Sequence, residues 1–175
     1  MNYTKYLRWG VWAALFVALF YVPFIVAGGN APANLWPGLS LFFPYITGKN
    51  FAFRILVEFA LLCYALLALR DPKYRPRSSW IMWAALALVV WIGISTIASV
   101  DPVKSFWSNF ERMDGYINLL HLFVWFVITG AVLTADKLWG RFVNTSIGAS
   151  VLMGLIALFQ VMHLFGFTPS SQSGA

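Results

Sequence analysis

The amino-acid sequence predicts an all-α, polytopic helical membrane protein with five transmembrane helices and a short interfacial helix on the outer side. Three observations predict it. Of the 175 residues, 61% are hydrophobic and only 10% charged, whereas soluble domains carry roughly 25% charged residues. A chain this apolar has too little polar surface to cover a globule in water. Its uncharged stretches recur at lengths near those a helix needs, at a rise of about 1.5 Å per residue, to cross a hydrocarbon core about 30 Å thick. Trp9, Trp36, Trp80, Trp107 and Trp139 fall close to the ends of those stretches, as interfacial anchoring requires. The net charge of +6 comes without any basic run long enough to grip a phosphate backbone, so it is read as a topology signal and no nucleic-acid partner is expected. The lone Cys63 excludes an intrachain disulfide and any multi-cysteine metal site.

The expected spans run over about 9–29, 51–69, 78–99, 115–135 and 142–165, within a single membrane domain of residues 1–175. Pro23 puts a kink near the far end of the first. A secretory signal competes for that segment, because residues 1–8 are basic and AGGNAPA offers small residues, but the apolar stretch is long for a signal core. The second span contains Arg54 and Glu58, while the third and fourth lie in the uncharged stretches between Arg77 and Asp101 and between Asp114 and Asp136. The link RDPKYRPR carries two prolines, which keep the helices on either side from running together.

Orientation follows from the placement of Lys and Arg. With the N-terminus inside, Lys5, Arg8, Arg70, Lys73, Arg75, Arg77, Lys137 and Arg141 lie on the inner face and only Lys49, Arg54, Lys104 and Arg112 on the outer. A multi-pass protein with a cytoplasmic N-terminus is therefore expected.

The two outer segments carry most of the functional information. GGNAPANLWPGLSLFFPYITGKN is broken by Gly, Pro and Asn, yet is too apolar for free solution, so it is expected to lie back on the bilayer or on neighbouring helices. In the other, Asp101 and Pro102 form an N-cap and first-turn pair. Val103, Phe106, Trp107, Phe110 and Met113 then recur at helical spacing opposite Lys104, Ser105, Ser108, Asn109 and Arg112. This predicts an amphipathic helix in the outer interface that Gly115 ends. A plain interfacial elbow with solvated charges accounts for the same pattern.

Arg54 and Glu58 are one turn apart, so both point the same way from the second helix. If that helix begins near Phe51, they lie about 5 and about 10 Å in, at a cost of a few kcal/mol unless paired, wet or snorkelling. Lys49 and Arg54 at a helix N-terminus set cations against the macrodipole and favour an anionic ligand. An intrahelical Arg54–Glu58 ion pair is the structural alternative. His121 sits at a similar depth on the fourth helix, with Asn118 three residues earlier, and suits an interhelical hydrogen bond. Phosphate-binding glycine loops, HExxH, GxSxG and paired metal carboxylates are absent, so no catalytic residue, metal or cofactor is assigned.

FFPYITGKNFAFRILVEFALLCYALLALRDPKYRPR, a hydrophobic span, and then DPVKSFWSNFERMDGYINLLHLF resemble the N-terminal third of bacterial O-antigen ligase family proteins over about residues 40–160. GKNFAFR through Glu58 and WSNFERMDG are the most specific parts. The resemblance implies a metal-independent inner-membrane glycosyltransferase. Such an enzyme moves a glycan from an undecaprenyl pyrophosphate carrier to an acceptor, such as lipid A core, on the periplasmic face. The family's large C-terminal periplasmic loop with its essential Arg and His has no counterpart here, so the chain is expected to be the N-terminal part of a larger protein, inactive alone, with that missing half and membrane lipid as partners. The pyrophosphate is expected to meet Arg54, Arg112 and Lys49, with Glu58 and Glu111 orienting the arginines and His121 nearby. A non-catalytic scaffold or interaction module is the alternative. A transporter half fits less well, because the charges cluster at one surface rather than at the midplane.

Overall fold

The computed structural model describes residues 3–20, 22, 47–109 and 112–162. The described residues are 85% helical and contain no strand. Six α-helices follow one another: α1 Tyr3–Phe20, α2 Thr47–Arg70, α3 Trp80–Ile97, α4 Pro102–Trp107, α5 Tyr116–Val132 and α6 Asp136–Val161, with a 3₁₀ turn at Pro72–Tyr74 between α2 and α3.

Among the described residues, three stretches are long and apolar enough to cross a membrane: Gly48–Arg70, Trp80–Ile97 and Asp136–Phe159. α5 is apolar too, but its 17 residues extend only about 26 Å. The first expected span corresponds to α1 up to Phe20, and residues 21 and 23–29 lie outside the described residues, as do 163–165 of the last. α2 begins four residues before the expected Phe51, and α6 six before the expected residue 142.

Local sequence explains the boundaries. Asp71 accepts a hydrogen bond from the Lys73 N–H at 3.0 Å and caps the 3₁₀ turn, and Arg75, extended at φ −66° and ψ 148°, obeys the restriction that Pro76 imposes. Ser79 caps α3 by accepting from Met82 N–H at 3.1 Å. Asp101 caps α4 by accepting from Lys104 N–H, with Pro102 in the first turn, as the sequence predicts. α4 is shorter than its apolar spacing suggests: it stops at Trp107, where Ser108 adopts φ 65°, and the described residues 108–109 and 112–113 are not helical.

α1, α2 and α5 enclose the core, built from Val11, Ala14 and Leu15, from Ala60, Tyr64 and Leu67, and from Ile128, Ala131 and Val132, with Tyr74 and Leu133 closing it below. Gly10 lets α1 approach α2, since a Cβ there would stand 3.2 Å from Cys63 Sγ. α2 and α5 start side by side and run parallel, because Asn50 meets Asp114 and Glu58 meets His121. The face where both begin is the upper face; α1 begins at the lower face, where Arg70 at the end of α2 stacks over Tyr3. α3 rises against α5, and the Tyr116 hydroxyl donates to Val89 O at 3.1 Å.

Only 6% of the apolar stretch of α3, and the same share of α6, is buried, and Trp80, Trp91 and Ile97 are 91%, 72% and 78% exposed. Water does not tolerate so much contiguous apolar surface on a folded chain, whereas lipid does.

Gly115, read from sequence as a helix breaker, has a different reason to be glycine. Its φ of −71° suits any residue, but a Cβ would run into the backbone carbonyl of Phe106, so only glycine lets α4 fold against the start of α5. Gly115→Ala is expected to destabilise the protein by about 1–3 kcal/mol, the usual cost of forcing atoms into an occupied site, seen as a lower melting temperature in detergent, while Gly148→Ala, whose Cβ meets nothing within 4 Å, leaves it unchanged.

Candidate functional site

Two stripes of polar residues face each other at the upper face. On α2, Asn50, Arg54 and Glu58 recur every four residues; on the segment leading into α5, Asp114, Asn118 and His121 recur at four and three. Parallel packing brings the stripes together. The Asn50 amide donates to the Arg112 carbonyl and to Asp114 Oδ1, both at 2.7 Å. Asn118 Nδ2 donates to the same Asp114 oxygen at 3.4 Å. The Arg54 guanidinium donates through Nη2 to the Met113 carbonyl. Below these, His121 Nε2 lies 3.3 Å from Glu58 Oε1.

These contacts bend the backbone to suit. Met113 holds φ 52°, in the left-handed region that costs a non-glycine residue about 1 kcal/mol or more. The Met113 N–H bonds Asn109 O at 2.9 Å on one side and Arg54 takes its carbonyl on the other, which fixes it there. Asp114, just before the first turn of α5, sets a negative charge against the positive end of that helix, whose cap Gly115 supplies no side-chain bond.

His121 is held at both ring nitrogens. Nδ1 stands 2.7 Å from the Ile117 carbonyl one turn earlier on the same helix. Nε2 faces Glu58 Oε1 at 3.3 Å, so the ring bridges its own helix and α2.

The structure thus corrects the intrahelical Arg54–Glu58 pair. Glu58 turns to His121 and Arg54 to Met113, and no Arg54–Glu58 contact within 4 Å occurs. Because α2 starts at Thr47, Arg54 lies about 10 Å and Glu58 about 16 Å along the helix, deeper than expected from a start at Phe51. Arg54 is also past the first turn, where the macrodipole acts most, and only Lys49 remains within it.

Of the expected site residues, Arg54 is 9% exposed and its Nε finds no hydrogen-bond partner among the described residues. Asn118 Oδ1 is likewise buried without one. Lys49 is half-buried, and Arg112 is exposed, joined to the seam through its backbone. Glu58 has a side chain 68% exposed and His121 one 12% exposed. Glu111 lies outside the described residues. Asn50 and Asp114, which sequence reading left out, are the centre of the seam; the spacing of Asn50, Arg54 and Glu58 was the available signal. Beside the seam, Asp101, Lys104, Ser105, Ser108 and Asn109 line a shallow depression of about 300 Å³. No group of three or more potential metal ligands occurs among the described residues.

No known family model, curated protein or solved structure matches this chain.

The two halves of the seam differ in energy. Removing Arg54 takes the partner from the half-buried Met113 carbonyl, which costs up to about 1–3 kcal/mol, whereas an exposed pair such as Glu58–His121 contributes about 0–1 kcal/mol. Arg54→Ala is therefore expected to lower equilibrium stability in detergent by more than Glu58→Gln does, with Arg54→Lys in between because it keeps one donor.

Proposed function

We propose that this chain is the N-terminal membrane portion of an O-antigen ligase-like glycosyltransferase of the bacterial inner membrane. In this reading the chain makes five spans with a cytoplasmic N-terminus, and α4 lies in the outer interface. The upper face is periplasmic and receives the undecaprenyl pyrophosphate-linked glycan, which is passed to an acceptor such as lipid A core by the complete enzyme.

The observation that carries the reading is the gathering of Lys49, Arg54 and Arg112 around one ordered turn at the ends of two apolar helices. A pyrophosphate at a membrane surface needs cationic donors in a partly desolvated setting. Arg54, occupied by Met113, is a positioning residue here: it holds the 112–114 turn so that the exposed Arg112 and the half-buried Lys49 face the ligand. The depression lined by Ser105, Ser108 and Asn109 offers hydroxyl and amide groups of the kind that sugar hydroxyls pair with.

Two measurements test the reading. Purified protein is expected to bind undecaprenyl pyrophosphate but not undecaprenol, with Lys49→Gln and Arg112→Gln each weakening binding by about tenfold or more, the worth of one charge-assisted hydrogen bond. Equal binding of the two lipids, or none, would favour a non-catalytic scaffold, a reading that the purely structural Arg54–Met113 bond also suits.

Single cysteines placed at Lys49 and at Arg112 in a Cys63→Ala background are expected to react in intact spheroplasts with a membrane-impermeant maleimide. Labelling only after lysis would place the upper face in the cytoplasm and end the proposal.

A further inference from the structure

The lower face carries a second cationic feature that the upper site does not use. Thr4, Lys5 and Arg8 from the first turns of α1, with Asp71, Lys73 and Tyr74 from the turn after α2, line a depression of about 400 Å³. Three cations face one carboxylate there, and that carboxylate already caps the Lys73 N–H at 3.0 Å.

Among the lining residues Asp71 is the one carboxylate, which leaves two cations in excess. No carboxylate among the described residues lies within 4 Å of Lys5, Arg8 or Lys73, where the one ion pair is Glu58 with His121. Arg8 lines the depression with its guanidinium held over the Trp12 ring at 4.9 Å, and its Nε is buried with no partner among the described residues. The start of α1 and the end of α2 meet at this face, so their opposed macrodipoles offset one another and the field comes from the side chains.

The setting names the ligand. Apolar helices end at this level, and Tyr3, Tyr6 and Trp9 are 51%, 68% and 57% exposed along the same first turns of α1. Aromatic rings of this kind sit at the headgroup level of a bilayer, and cations beside them meet lipid phosphate. We infer that Lys5, Arg8 and Lys73 form a binding site for the phosphate of an anionic phospholipid headgroup in the leaflet at the lower face, with Thr4 donating its hydroxyl and Tyr74 as the floor. This site is separate from the upper seam and stands whether or not a pyrophosphate-linked glycan binds there.

The test uses the full chain in a neutral detergent, with native mass spectrometry for retained lipid and thermal melting for stability. Phosphatidylglycerol is expected to remain bound and to raise the melting temperature, phosphatidylcholine and inorganic phosphate to do neither, and the double variant Lys5→Gln/Lys73→Gln to weaken phosphatidylglycerol binding by about tenfold or more, at about 1 kcal/mol per surface cation. Both of these lysines are exposed, so the double variant keeps the fold, which circular dichroism checks. Arg8→Gln is expected to weaken binding as well, and if losing its stack on Trp12 unfolds the chain, the double variant decides. Equal retention of phosphatidylcholine, full stabilisation by inorganic phosphate alone, or unchanged phosphatidylglycerol binding by the folded double variant would each overturn the assignment.

Discussion

The seam between α2 and α5 is the constraint on which the upper half of the molecule depends. A lipid bilayer supplies little water to satisfy polar groups, so an arginine, two asparagines, a histidine and two carboxylates gathered at the ends of apolar helices take partners from one another and from the 112–113 backbone. They do so in one arrangement: α2 parallel to α5, Asn50 against Asp114 and Glu58 against His121. Sliding either helix by one residue would turn every member of a stripe away from its partner. Apolar packing lower down, where Ala60, Leu67, Ile128 and Val132 meet, is far less particular about register. Polar groups therefore fix how the helices align, and the core below supplies contact area.

That division explains what could be read from the sequence. The all-helical class, the cap and first turn of α4 at Asp101 and Pro102, and the break at RDPKYRPR follow from local chemistry, which acts within a few residues. The depth of Arg54 was misjudged because the start of α2 is set by Thr47, Gly48 and Lys49, which carry no strong helix-start pattern of their own. Which of the two readings of Glu58 holds depends on something more general. Four-residue spacing puts Arg54 and Glu58 on one face, but a histidine on α5 and a carbonyl in the turn before it take their place as partners, and partner identity across elements is not written in either stripe alone.

Asp114 is the residue whose weight was least visible. In sequence it marks only the end of an uncharged stretch. In the fold it accepts from Asn50 and Asn118 and stands at the positive end of α5, so a single carboxylate joins two helices and caps a third role, the turn that Arg54 holds. Gly115 beside it serves the same junction by letting the carbonyl of Phe106 come close.

The unequal lengths of the joined helices have a mechanical result. α2 has 24 residues and α5 has 17, which at about 1.5 Å each gives about 36 against about 26 Å. The Glu58–His121 contact sets their levels: α2 has 11 residues before Glu58 and 12 after it, α5 has 5 before His121 and 11 after it, so the shortfall falls almost wholly at the top, where the 112–114 turn stands beside α2. A membrane around this protein has to pucker toward that turn, so its thickness is uneven around the circumference and the shallow side lies at the upper end of α5.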